Sequence, residues 1–198
     1  MWKWYTTLDA SGIHSVRTTF YDSTIRKFLN TWIVEYMAFT FIKAILIGFG
    51  ATLTFDLWGQ FLKYTFKISP SDICLVGRWL LYMPEGIFRH SNIVSAPQRG
   101  AECIVGWIAH YTIGITFAII FVSLAGSNWP QHPTLLPPIA FGVGTVLAPF
   151  SLMQPLMGLG FAASKTSNPA QARIRSLMNH TAFGTGLYLF ALLVHGSL

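Results

Sequence analysis

One aspartate, two histidines and a glutamine stand inside apolar runs of this chain: Asp56, His110, His180 and Gln154. A charged group at the centre of a bilayer costs about 2.5–3.5 kcal/mol on insertion scales, so such residues need a reason to be there. The carboxylate of Asp56 could hold a proton or a cation, or pair with an arginine of the following connection. The plainer alternative is an interfacial aspartate that reaches headgroups and water. The imidazoles of His110 and His180 could relay protons, or ligate haem iron from two different helices. Their plainer alternative is a hydrogen bond to a neighbouring helix or a headgroup.

Gln154 belongs to the stretch "APFSLMQPLMG", residues 148–158, which places Pro149 and Pro155 in a run without charge. Proline removes a backbone donor and clashes with the carbonyl four residues earlier. Those earlier residues are Thr145 and Ser151, whose hydroxyls are expected to cover the freed groups, as membrane helices require. The stretch reads either as a discontinuous helix lining a site or as an over-long helix bending to fit. Both readings make this span the packing centre of the bundle.

The elements that position these residues follow from composition. Of 198 residues 53% are hydrophobic and only 10% charged, with a mean hydropathy of +0.50. Soluble domains carry about 25% charge, so the class is an all-α integral membrane protein. The net charge of +6 comes from basic residues scattered between apolar spans, which is a topology signal and gives no nucleic-acid stripe. A bilayer crossing needs about 20 apolar residues. Residues 44–62, 104–126 and 176–196 each meet that, and a third region, 133–164, exceeds it. The expectation is four transmembrane helices, the third kinked by its prolines, with an interfacial connection at 63–103. Within that connection "DICLVGRWLLYM" is amphipathic enough to lie in the membrane interface.

The second and fourth spans share a histidine four residues before a glycine, His110 with Gly114 and His180 with Gly184. "FGATLTF" in the first span loosely matches "FGVGTVL" in the third. Two tandem two-helix repeats would explain both; chance similarity in a glycine-rich chain is the alternative. The connections 63–103 and 164–175 hold five and three basic residues, against none in the turn after the second span. That bias puts both connections in the cytoplasm. The four basic residues of segment 1–36 oppose it, and this segment shows no helical or strand period. Both facts fit a start at Met37, with 1–36 outside the membrane domain of 37–198.

Cys74 and Cys103 form no CxxC pair and have no matching histidine spacing, so they read as inert thiols, without a metal site or a disulfide framework. No phosphate loop, zinc-protease motif or nucleophile elbow occurs. No catalytic residue and no metal ligand is expected, and an enzymatic role is not favoured.

The segments "GATLTFDLWG", "LVGRW", "AHYTIGITFA", "HPTLLP", "APFSLMQPLMGLGFAASKT" and "RSLMNHTAFGTGLYLFAL" together resemble the bacterial membrane proteins grouped as domain of unknown function 2938, over about residues 42–194. The resemblance implies a bacterial inner-membrane protein of about four helices, beginning just before the first span, with no established activity. It also implies that Asp56, Arg78, Trp79, His110, Gln154, Pro155 and His180 stand at motif positions, Arg78 and Trp79 in the interfacial connection.

Three function classes remain open. One is binding or translocation of a small solute or proton through Asp56, Gln154, His110 and His180. The second is non-catalytic membrane assembly or a stress-related role. The third is a haem- or quinone-linked redox protein. The expected partners are the lipid bilayer and further copies of the chain or other membrane proteins, with no nucleic acid. No cofactor is expected outside the haem alternative.

Overall fold

The computed structural model describes residues 19–126 and 128–195, with side chains at Lys27, Thr31 and from Ala38 onward. The chain divides into two compact units, Met1–Phe39 and Thr40–Leu198. Helix α1 is Thr19–Phe66, so the backbone is already helical in the part of segment 1–36 that is described. The lack of period there did not announce this. Residues 1–18, half of that segment, lie outside the described residues. In the first unit the Thr31 hydroxyl donates to the Lys27 carbonyl at 3.0 Å. α1 ends where Lys67 turns into the left-handed region (φ 58) and the Ile68 N–H closes on the Leu62 carbonyl.

In the second unit α1 is followed by α2 (Ile73–Tyr82), α3 (Glu102–Ala125), α4 (Leu136–Thr145), a π-helical turn (Pro149–Met153), α5 (Gln154–Leu156) and α6 (Pro169–His195). Among the described residues four segments are long and apolar enough to cross a membrane: Ala38–Phe66, Glu102–Ala125, Leu136–Leu156 and Pro169–His195. No strand occurs among the described residues. The main core joins Ala44, Ile47 and Ala51 of α1 to Ala118, Phe121 and Val122 of α3 and to Phe183, Leu187, Ala191 and Val194 of α6.

The third span is not the packing centre. Of the most apolar window, 39% is buried in the first and fourth spans but 22% in the second and third. α1 and α6 take the centre because small residues bring their backbones together: a side chain at Gly186 would meet Ala51 and Thr54, and one at Gly50 would meet Phe190. Without a hydrophobic drive between helices in lipid, such close approach supplies the packing. The expected glycines do serve each half of the bundle. Gly114 seats on Thr52 of α1, and Gly184 on Pro138 and Ile139 of α4. The partner glycine on α1 is Gly48, however, and not Gly50 of the matched heptapeptide.

One face of α2 is packed within the protein: Val76, Gly77, Arg78, Trp79 and Tyr82 are buried. It crosses α3 backbone to backbone, since a Cβ at Gly77 would strike the Glu102 carbonyl and one at Gly106 the Ile73 carbonyl. The crossing overturns the reading of two inert thiols. Cys74 and Cys103 form a disulfide, with Cα atoms 4.0 Å apart. Their separation of 29 residues matches no sequence motif; only the crossing brings them together.

Beside the disulfide lies a buried ion pair, Arg78 one turn beyond Cys74 on α2 and Glu102 directly before Cys103 on α3. Arg78 Nε and Nη2 donate to Glu102 Oε2 and Oε1, both at 2.8 Å, while Nη1 donates to the carbonyls of Ile93, Val94 and Ala96. The guanidinium's planar fork fits a carboxylate with two parallel bonds. Trp79 Nε1 donates to the Phe88 carbonyl and the Tyr82 hydroxyl to the Pro97 carbonyl, so α2 organises the whole connection from 83 to 101.

The third span breaks where the prolines demand it. α4 stops at Thr145, and from Pro149 the ladder widens, the Gln154 N–H reaching the Pro149 carbonyl. A π turn of this kind absorbs one extra residue within a helix. The hydroxyls act one turn earlier than expected. Thr145 donates to Gly142 and Ser151 to Leu147, so neither covers the carbonyl that its proline releases. After Leu156 the chain leaves the helix, with Gly158 and Gly160 at positive φ, which disposes of the excess length of region 133–164.

Gly77→Ala should lower the unfolding free energy by about 1–3 kcal/mol or more, as overpacking does. Gly144→Ala is the control, because nothing stands within 4 Å of its Cβ position. Thermal unfolding of both variants in detergent checks this; equal melting temperatures would contradict the α2–α3 crossing.

Candidate functional site

Asp56 lies on α1 ten residues before its end, and its partners come from α3, not from an arginine of the first connection. His110 Nε2 lies 3.0 Å from Asp56 Oδ1, and the Tyr111 hydroxyl donates to Oδ2 at 3.0 Å. Opposite an ionised carboxylate, which only accepts, Nε2 would be the nitrogen that carries the imidazole proton. Asp56 and His110 side chains are each 17% exposed, sheltered but not sealed.

His180 sits on α6, one helix further. Its Nδ1 lies 2.7 Å from Thr145 Oγ1, whose single proton goes to the Gly142 carbonyl. Thr145 therefore accepts from His180, which fixes the tautomer with the proton on Nδ1. The two imidazoles share a neighbour: the Phe55 ring meets His110 edge-on at 5.3 Å and His180 at 5.8 Å. A haem ligated through Nε2 of His110 would have to displace Asp56.

Beside this cluster opens a cavity of about 320 Å³, within the range of about 300–1,000 Å³ usual for small-molecule sites. Phe55, Asp56 and Gln60 line it from α1, residues 70–74 from the approach to α2, Trp107 from α3 and Asn179 from α6. Asn179 is 2% exposed, and its Oδ1 has no hydrogen-bond partner. A buried amide oxygen left unpaired costs about 1–3 kcal/mol, so this acceptor, on a residue that lines the cavity, calls for a donor.

The structure thus brings Asp56, His110 and His180 into one neighbourhood but leaves Gln154 out. Gln154 is not among the cavity-lining residues; it lies in the turn after the π helix, its Oε1 buried without a partner. Arg78 and Trp79 are placed as anchors of the 83–101 connection, the hydrogen bond to Glu102 raising the guanidinium's already high pKa. Sequence reasoning missed Tyr111, Asn179, Glu102 and Cys74. Tyr111 and Asn179 each adjoin a singled-out histidine, the one signal that could have marked them.

An all-helical architecture with four helices long and apolar enough to cross a membrane, and polar groups gathered between them, is the build of a multi-pass membrane protein. The chain belongs to the family described as protein of unknown function (DUF2938), whose model matches residues 45–194. No curated protein and no solved structure matches the chain.

His110→Ala should lower stability in detergent by about 1.5–3 kcal/mol, the worth of a hydrogen bond to a charged group. Combined with Asp56→Asn, the loss should be smaller than the sum of the single losses, because the two residues share one interaction. A double-mutant cycle of unfolding free energies that adds up fully would remove the contact.

Proposed function

We propose that this protein is a multi-pass protein of the bacterial inner membrane that binds a small cation at the Asp56 cavity and passes it, or a proton in its place, across the bilayer. The observation that carries this reading is the cavity that Asp56, a carboxylate inside an apolar span, lines together with Asn179, whose amide oxygen is unpaired just behind that wall. Two oxygen acceptors and two aromatic faces, Phe55 and Trp107, suit a monovalent or organic ammonium ion, whose N–H groups satisfy the oxygens while its charge rests on the rings. Among the described residues no three His, Cys, Asp or Glu side chains gather as a metal site would need.

The eight basic residues of the connections 63–103 and 164–175 support a cytoplasmic position for both. The ends of the spans are consistent with such alternation. Arg175 at the start of α6 reaches the Ser69 carbonyl of the first connection, and His195 at its end meets His132 of the second turn. A bundle of four spans leaves little room for a private pathway, which favours a homo-oligomer as the working form.

A second reading, a non-catalytic assembly role, draws support from Asp56 itself, since both of its oxygens already have partners. Ligand titration separates the two. Ammonium, guanidinium, methylammonium and alkali cations are added to purified protein, and binding is read as a concentration-dependent rise in melting temperature. At least one should bind, and Asp56→Asn should weaken it tenfold or more, about 1.4 kcal/mol. Gln154→Leu, outside the cavity, should leave it unchanged. If no cation shifts the melting curve, and proteoliposomes of wild type and Asp56→Asn hold cation and pH gradients alike, the binding role is refuted and assembly is left.

A further inference from the structure

We infer that Cys74 and Cys103 are a reversible dithiol/disulfide site, exchanging with low-molecular-weight thiols and disulfides, and that their bond sets one wall of the Asp56 cavity. Cys103 is exposed and Cys74 half-buried, so one sulfur of the bond can be reached by an external thiolate. The cysteines do not depend on their bond to stay together. The interlocked glycines, Gly77 with Glu102 and Gly106 with Ile73, and the doubly hydrogen-bonded Arg78–Glu102 pair hold the same crossing on either side of it. A reduced pair is therefore kept in place for re-oxidation, and opening the bond leaves the helix pair assembled.

Each cysteine is also the second residue of its helix, where the positive end of the helix favours a thiolate. A carboxylate stands beside each cysteine, Asp72 accepting from the Cys74 N–H and Glu102, paired with Arg78, preceding Cys103. Cys103, the more exposed of the two, is the attacking sulfur on oxidation. Its thiolate attacks oxidised glutathione; the glutathione S–S bond breaks, one glutathione departs as its thiolate, and the other is held on Cys103 as a mixed disulfide. The Cys74 thiolate then attacks Cys103 Sγ and expels the second glutathione. Two electrons pass from the cysteine pair to glutathione, and the two protons lost by the cysteine thiols are taken up by the two departing glutathione thiolates.

The compartment supports reversibility. In the cytoplasm glutathione and thioredoxin keep thiols reduced, and disulfides there are mostly transient and redox-sensing or catalytic; the basic residues of 63–103 favour that side. The consequence for the cavity follows from its lining. Residues 70–74 form one wall, and Trp107, one helical turn beyond Cys103, stands on another. The disulfide ties the first wall to the helix that carries the second. That consequence rests on the cation-binding reading; the exchange itself does not.

The test traps thiols in cells producing the full chain, with a membrane-permeant maleimide that adds mass, before and after brief exposure to diamide. In untreated cells both cysteines should label, two adducts per chain. After diamide the native chain should carry none, and labelling should return once diamide is washed out. The Cys74→Ser variant, given oxidised glutathione, should accumulate the mixed disulfide at Cys103. A disulfide already complete in untreated cells, or thiols that stay free under diamide, overturns the proposal. Cation titration of the reduced and oxidised forms then reads the cavity, with affinity expected to differ severalfold. Equal affinity in the two forms refutes control of the cavity, while labelling that toggles in a chain that binds no cation refutes the solute reading and leaves the exchange standing.

Discussion

The backbone contact between α2 and α3 decides more of this molecule than any other interaction. Two glycines, Gly77 and Gly106, let the helices approach until carbonyl oxygens occupy the space of the missing side chains. At that distance residues one turn apart on the two helices meet, and the chain uses the meeting for a covalent bond and an ion pair. Arg78 and Glu102 would be costly alone in a poorly hydrated crossing, but each satisfies the other, and the remaining guanidinium donor gathers the carbonyls of the connection. The connection thereby acquires a fixed shape without a strand or a long helix of its own, and it seats against the end of the third span, where the His90 and Ile93 N–H groups meet the Leu156 and Met157 carbonyls.

The polar cluster in the spans depends on a different constraint, the bilayer's lack of water. A carboxylate there must find donors within the protein, and Asp56 finds both on a single neighbouring helix, from adjacent residues His110 and Tyr111. His180 resolves the same problem through Thr145, at the point where α4 ends. The broken third span thus has a use unlike the one its sequence suggested. Its break gives up a central packing role, and the last residue of its first half supplies the acceptor for a histidine of α6.

Several features were legible in the residues. The four spans could be placed closely, because a run of about 20 apolar residues has few other uses, and the prolines at 149 and 155 marked a real break. Gly114 and Gly184 were recognisable as contact points, since small residues at helix crossings are chemically required. Other features were misread for identifiable reasons. The hydroxyls at 145 and 151 were assigned by counting to the carbonyls the prolines free, yet a side chain reaches the turn before it more easily than its own carbonyl. The partner of α2 was not legible, because amphipathicity records only that one face is apolar, and a partner helix satisfies that face as well as lipid does.

What the sequence determined by itself was the environment and the local breaks: length, hydropathy and proline act over neighbouring residues, and neighbouring residues are what a sequence displays. What only the tertiary structure decided was which polar groups meet. Asp56 and His110 are 54 residues apart, Arg78 and Glu102 24, Cys74 and Cys103 29, and no period or motif links such distances. They are set by where helices cross, which depends on a few glycines whose importance lies in the atoms they leave out.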